Sequence, residues 1–148
     1  MLAVLSGGGT AGHINPALAL ADVLSDRGCD VRFAGTPRGV EARLVPAAGV
    51  PFTAFEASGF NRNHPTTIVS GVAKIAKSTK AAKKWFREIG PDVVVGFGGY
   101  VSIPVARAAE SMGIPVVVHE QNSVMGMANR YLAKRAAAVC VTYEGTAD

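Results

Sequence analysis

Short runs of β-branched and aliphatic residues alternate along this chain with longer segments in which apolar side chains recur every three or four positions. The first pattern predicts strands and the second amphipathic helices, and their alternation predicts a parallel sheet with crossover helices. Six strands are expected, over Leu2 to Ser6, Asp30 to Ala34, Phe52 to Glu56, Asp92 to Phe97, Pro115 to His119 and Ala138 to Thr142. Between the first two, Asn15 is the expected helix cap and Pro16 the first helical residue, with Leu18, Val23 and Leu24 as apolar contacts and Gly28 as the stop. Further helices are expected around Val40 to Val45, Thr67 to Ile89, Ile103 to Met112 and Met127 to Lys134. The fold class is therefore α/β, a Rossmann-like parallel sheet with helices on both faces. No internal repeat, low-complexity tract or linker interrupts it.

Composition narrows the picture. The chain has 148 residues, 49% hydrophobic and 18% charged, and a mean hydropathy of +0.25. Disorder and collagen-like structure are excluded, and one compact domain with a self-sufficient core is expected. Cys29 and Cys140 belong to no CxxC pair or His/Cys cluster, which fits a reduced, cytosolic chain. Residues Met1 to Ala21 carry no Asp, Glu, Lys or Arg, but Gly7, Gly8, Gly9, Gly12, His13, Asn15 and Pro16 break the run and no basic segment precedes it. The stretch Val93 to Ala106 is broken in the same way by Gly96, Gly98, Gly99 and Pro104. No bilayer span is expected, while docking on a membrane surface stays open.

In a doubly wound sheet, ligands bind beyond the carboxyl ends of the strands. Three segments there carry candidate chemistry. Ser6-Gly7-Gly8-Gly9-Thr10-Ala11-Gly12-His13 follows the first strand, where glycines let the backbone approach a ligand and the next helix offers unpaired N–H groups to a phosphate. Gly7, Gly9 and Gly12 formally satisfy GxGxxG, but the acid that holds a ribose in dinucleotide folds is missing after the second strand, which ends Phe33-Ala34-Gly35-Thr36-Pro37. Arg32 or Arg38 leaves an NADP variant open. The second segment, Gly96-Phe97-Gly98-Gly99-Tyr100-Val101-Ser102, is another glycine turn entering a helix; Ser102 can be simply a cap and Tyr100 a half-buried aromatic. The third, His119-Glu120-Gln121-Asn122-Ser123, gathers polar side chains behind an apolar strand, although His119 can be a satisfied structural histidine. No HxxxH, no metal-spaced carboxylate cluster and no GxSxG elbow occurs, so no metal and no cofactor is expected.

Charge is unevenly distributed. The net charge is +4, and between Ile68 and Ile89 six cations, Lys74, Lys77, Lys80, Lys83, Lys84 and Arg87, face a single acid, Glu88. Ile68, Val72, Ile75, Ala82, Phe86 and Ile89 form an apolar face expected to pack on the sheet, and Trp85 is available as an interfacial anchor. This pattern suits an anionic membrane surface, with an ordinary solvated helix face as the alternative. Nucleic acid is not expected, for want of a binding motif or interleaved aromatic platforms.

Gly8-Gly9-Thr10-Ala11-Gly12-His13 with Asn15-Pro16-Ala17-Leu18-Ala19, then Gly98-Gly99-Tyr100-Val101-Ser102, then Pro115-Val116-Val117-Val118-His119-Glu120-Gln121-Asn122 closely resemble the N-terminal half of the MurG family, the bacterial peptidoglycan N-acetylglucosaminyltransferases. The likeness continues through Gly35-Thr36, Glu41, Leu44-Val45-Pro46, Ser58-Gly59 and Asn129-Arg130-Tyr131-Leu132-Ala133-Lys134. It implies a GT-B glycosyltransferase that transfers GlcNAc from UDP-GlcNAc to the muramoyl 4-hydroxyl of lipid I, with inversion, giving lipid II at the cytoplasmic face of the membrane. On this reading residues 1–148 are the N-terminal, acceptor-binding domain, and the donor-binding C-terminal domain lies outside the chain. The resemblance implies His13 as catalytic base with Glu120 as competitor. It implies that Thr10, Ala11, Gly12 and Asn122 contact the donor or its diphosphate, and that Gly98, Gly99, Tyr100 and Gln121 contact the acceptor. The basic face, Lys74, Lys77, Lys80, Lys84, Trp85 and Arg87, is then the membrane surface. Ala11 departs from the family loop, which commonly reads Gly-Gly-Thr-Gly-Gly-His; a methyl group is tolerable there if φ stays negative. An NADP-binding oxidoreductase domain and a non-catalytic membrane-docking subunit of a split glycosyltransferase are the other readings.

Overall fold

The computed structural model describes residues 1–58 and 64–147. In chain order these form β1 (Leu2–Ser6), α1 (Ala11–Asp26), β2 (Asp30–Gly35), α2 (Glu41–Ala47), β3 (Phe52–Ala54), α3 (Pro65–Ile89), β4 (Val93–Gly96), α4 (Ser102–Ser111), β5 (Val116–Glu120), α5 (Met127–Ala133), β6 (Ala138–Val141) and a 3-10 turn, Glu144–Ala147. The strands pair in parallel in the order β3-β2-β1-β4-β5-β6. Gly59, one of the residues that carry the resemblance, lies outside the described residues.

Parallel strands covered on both faces read as nearly continuous apolar runs, because alternate side chains enter two different cores. Val4, Val94, Val116 and Val118 join one core with Ala82 and Phe86 of α3, Val105, Ala108 and Ala109 of α4, and Leu132 of α5. Leu5, Val31, Phe33 and Val95 join the other with Ile14, Ala17 and Ala21 of α1 and Val45 of α2. From β1 the chain runs outward to β2 and β3, and from β4 it runs the other way to β5 and β6. The strand order thus reverses between β1 and β4, which opens a crevice at their carboxyl ends.

Two expectations are corrected. Helix α1 begins at Ala11, with Thr10 extended at the cap position, so Asn15 is not a cap and Pro16 lies inside the helix. The cause is Ile14, which is fully buried one turn ahead of Ala17; sealing it into the core outweighs the backbone hydrogen bond that Pro16 cannot make. The far end is as expected: Gly28 has φ +81°, and the amides of Gly28 and Cys29 return to the carbonyls of Ser25 and Leu24. Second, the apolar face of α3 packs on the sheet only in its C-terminal half, where Ala82 and Phe86 are buried, while Ile68, Val69 and Val72 are exposed. The helix is 25 residues long and β4, at four residues, is far shorter, so its first turns overhang the sheet. Strand ends shift slightly. β3 stops at Ala54, and β5 extends through Glu120 because His119 and Glu120 still pair with Cys140 and Val141 of β6.

Phe86 is 1% exposed where α3 meets the sheet. Phe86→Ala is expected to cost about 3–5 kcal/mol of unfolding free energy, read as a fall in the urea midpoint at unchanged slope.

Candidate active site

The loops after β1 and β4 meet across the crevice. Gly8 N–H donates to the Gly98 carbonyl at 3.3 Å. Gly99, at φ +86°, faces Gly8 so closely that a Cβ there would lie 2.5 Å from the Gly8 carbonyl oxygen. The buried Ser102, at the start of α4, donates its hydroxyl to the Gly99 carbonyl at 2.7 Å and braces this turn from behind.

His13 lies in the first turn of α1, half-buried. Its Nδ1 is 2.7 Å from the Gly8 carbonyl oxygen. A carbonyl only accepts, so Nδ1 carries the proton, and the lone pair of the neutral ring is on Nε2. Nε2 lies beside Gly98, where a Cβ would sit 2.9 Å away. The missing side chain keeps that nitrogen open to the crevice. Thr10 makes no side-chain capping bond, and Gly9 to Gly12 are exposed, so the first amides of α1 face outward with the positive end of the helix. Ala11 is the first residue of that helix, and no non-glycine residue among those described has positive φ. The methyl group is accommodated.

At the end of β5, Glu120 is 2% exposed. Its Oε2 accepts from Asn122 N–H at 3.2 Å and Asn122 Nδ2 at 3.3 Å; its Oε1 accepts from Gly126 N–H at 2.7 Å and Asn129 Nδ2 at 3.3 Å. The carboxylate is fully engaged in shaping the β5–α5 loop. Gln121 turns away from the crevice, its Nε2 donating to the Phe97 carbonyl at 3.2 Å and its Oε1 3.4 Å from His119 Nδ1. The His119 ring packs on Phe97 at 5.2 Å, the structural role expected of a histidine on an apolar strand. Thr146 of the 3-10 turn lies 3.2 and 2.9 Å from the carbonyls of Asn122 and Ser123 and buttresses the loop.

These elements enclose a cavity of about 200 Å³ lined by His13, Gly98, Gly99, Tyr100, Glu120 and Asn122 together with Gly126, Met127, Ala128 and Asn129. Six sequence-predicted residues therefore share one hollow. Thr10, Ala11 and Gly12 are next to it on the exposed turn of α1, and Gln121 is behind its wall. Tyr100 and Met127 also line a second, apolar groove of about 610 Å³, completed by Val72, Ile75 and Ala76 of the α3 overhang, Ile103 of α4 and Tyr131 of α5. The His13 cavity and the more apolar groove thus share a wall, Tyr100 and Met127. Thr79 and Arg107, which border the groove, also line a third hollow with Lys83 and Arg135. On the basic face Lys77, Lys80, Lys84 and Arg87 are exposed and Lys74 is half-buried. Trp85 is turned inward, its ring packing on Phe55 at 5.6 Å and Phe86 at 5.5 Å.

Sequence reasoning gave no site role to Glu41, Gly126, Met127, Asn129 or Thr146, although Glu41 and Asn129 are among the residues that carry the resemblance. Glu41 is wholly buried under the first glycine loop, its Oε2 accepting from the N–H and the hydroxyl of Thr36, each at 2.9 Å. It thereby fills the place after β2 where a dinucleotide fold keeps its ribose acid, but faces inward. Arg38 is paired with Glu56 at 3.0 Å. Among the described residues, no group of three His, Cys, Asp or Glu side chains could hold a metal, and no helix is long and apolar enough to cross a membrane.

Comparison with known proteins adds independent findings. The glycosyltransferase family 28 N-terminal domain matches residues 3–141. The UDP-N-acetylglucosamine–N-acetylmuramyl-(pentapeptide) pyrophosphoryl-undecaprenol N-acetylglucosamine transferase of Lactobacillus gasseri is 44% identical, over 99% of this chain and 41% of its own. The transferase of the same name from Leuconostoc mesenteroides is 46% identical, over 97% and 40%. The crystal structure of Acinetobacter baumannii MurG superposes with a TM-score of 0.87 at 37% identity, covering 98% of this chain and 42% of that one. The chain spans about two-fifths of the length of these relatives.

Glu120→Ala would leave the amides of Asn122 and Gly126 without their acceptor and would remove one acceptor each from the Asn122 and Asn129 side chains, of which Asn129 keeps the His119 carbonyl. A loss of about 3 kcal/mol or more is expected in urea unfolding, with hydrogen exchange accelerating at residues 122–126 ahead of the rest of the chain.

Proposed function

This chain belongs to the glycosyltransferase family 28 N-terminal domain family, and we propose that it forms the acceptor-binding half of a GT-B enzyme that moves N-acetylglucosamine from UDP-N-acetylglucosamine to the muramoyl 4-hydroxyl of lipid I. The observation that carries this reading is the wall, Tyr100 and Met127, shared by a cavity into which His13, Glu120 and Asn122 bring polar groups and a more apolar groove. A sugar joined through pyrophosphate to a polyprenol is polar at one end and apolar at the other, and it matches that pair of hollows in chemistry and order. The names of the relatives, which specify a pyrophosphoryl-undecaprenol substrate, agree with this.

In the proposed reaction His13 Nε2 takes the proton of the acceptor hydroxyl, whose oxygen attacks the anomeric carbon of the donor from the face opposite UDP. The bond from that carbon to the phosphate oxygen breaks, UDP leaves with the electron pair, and the configuration inverts. His13 is preferred to Glu120 as base because both Glu120 oxygens are already held by four protein donors, whereas Nε2 is open to the cavity. The first amides of α1, at Thr10, Ala11 and Gly12, and the side chain of Asn122 stabilise the developing charge on the diphosphate. Gly98, Gly99 and Tyr100 cradle the acceptor sugar, and Gln121 supports the turn at Phe97. The donor-binding domain completes the cleft.

The same reading sets the domain on the cytoplasmic face of the membrane. Val69 and Val72 are 71% and 55% exposed on the first turns of α3, Arg107 borders the groove that Val72 lines, and exposed cations, Lys77, Lys80, Lys84 and Arg87, follow along the same helix. Apolar side chains rimmed by lysine and arginine suit an anionic bilayer surface. Trp85 packs inward on Phe55 and Phe86 and is not part of that surface.

In an enzyme uniting this chain with a donor-binding domain, His13→Ala is expected to lower kcat by about 10²-fold or more while the KM for UDP-N-acetylglucosamine changes little; an unchanged kcat removes His13 from the chemistry. Reversing Lys77, Lys80 and Lys84 to Glu is expected to abolish sedimentation of this chain with phosphatidylglycerol vesicles at low salt, and undiminished binding assigns that face to solvent.

A further inference from the structure

Glu41 is 0% exposed and takes no part in the chemistry above, yet glycines at three positions on two loops leave room for it. A Cβ at Gly8 would lie 2.2 Å from its Oε2, one at Gly35 2.5 Å from its Cγ, and one at Gly39 2.0 Å from its Oε1. Within this cradle Oε2 is latched by the N–H and hydroxyl of Thr36, and Oε1 accepts from the Gly9 N–H at 3.4 Å. The carbonyl of that same peptide group is Gly8's, and it receives the proton of His13 Nδ1. All the partners of Glu41 are donors, so the group serves as an acceptor only. A buried carboxylate and the catalytic imidazole thus grip opposite sides of one two-residue segment.

We propose that Glu41 is a positioning residue whose carboxylate holds the Gly8-Gly9 backbone in the arrangement that directs the Gly8 carbonyl onto His13 Nδ1 and leaves Nε2 as the proton acceptor facing the cavity. It acts as the carboxylates behind metal-bound histidines do, by fixing tautomer and ring orientation from outside the reacting shell, with a peptide group interposed as relay. The Gly9 amide is spent on this contact, so the phosphate-facing donors of the loop begin at Thr10. The inference rests on His13 as the base, and its primary readout is independent of activity.

Glu41→Gln keeps size and one carbonyl oxygen. The two donors of Thr36 claim that oxygen, and the new amide nitrogen then confronts the Gly9 N–H. Nitrogen-15 NMR of the imidazole in this chain reads the consequence. The wild-type ring is expected as the Nδ1–H tautomer; in Glu41→Gln it shifts toward the Nε2–H form that a free histidine side chain favours, while the rest of the amide spectrum stays that of the folded chain. Gly39→Ala, which displaces the carboxylate without altering any charge, is expected to produce the same shift and serves alone if Glu41→Gln does not fold. In the two-domain enzyme either variant lowers kcat by about tenfold or more, with the donor KM within about threefold of wild type. An unchanged His13 tautomer in a folded variant overturns the proposal, even if His13→Ala abolishes turnover. A shifted tautomer upholds the link from Glu41 to His13, even if His13→Ala leaves turnover intact and the base is found elsewhere.

Discussion

Two peptide segments without side chains lie against one another at the point where the sheet reverses its winding. The contact of Gly99 on Gly8, with Gly8 N–H donating to the Gly98 carbonyl, is closer than any pair of residues bearing Cβ atoms could achieve, and the architecture around it follows. It draws the loops after β1 and β4 together and sets His13 over Gly98. It also leaves the crevice closed on one side and open toward β5. Ser102 braces it from α4.

Each wall of the hollow is shaped by a buried acid. Glu41 supports the loop after β1, and Glu120 draws in the loop after β5 through two backbone amides and two asparagine side chains. Hydrogen bonds to ionised groups are the stronger kind, so two carboxylates organise two irregular segments that have little apolar surface of their own. The negative charge stays beneath the loops and the helix amides face out. An anionic ligand therefore meets the N–H groups first.

Much of this was legible in the chain. The strands were readable because both of their faces are apolar, and the three strand-end motifs converge on one cavity because strand order puts β1, β4 and β5 side by side. The losses have local causes. Asn15-Pro16 imitates a helix start, and only the burial of Ile14, a tertiary fact, moves it back to Ala11. The apolar stripe on α3 runs the length of the helix, and periodicity could not tell that its first half has no sheet beneath it. Glu41 was the hardest to read, since a lone acid in the first turn of a short helix looks like a helix-terminus charge. Its signal was the trio Gly8, Gly35 and Gly39, two of them distant in sequence from the third, and a contact of that kind has no spacing rule.

Under the proposed function, the wall common to the His13 cavity and the apolar groove also bears on how an acceptor would arrive. If Tyr100 and Met127 divide a headgroup compartment from a hydrocarbon one, an acceptor passes between them by sliding sideways out of a lipid layer and never by diffusing through bulk water. Encounter then takes place in two dimensions. Turnover would follow the mole fraction of acceptor within the surface, so diluting the bilayer with inert lipid would slow the enzyme even at constant total substrate.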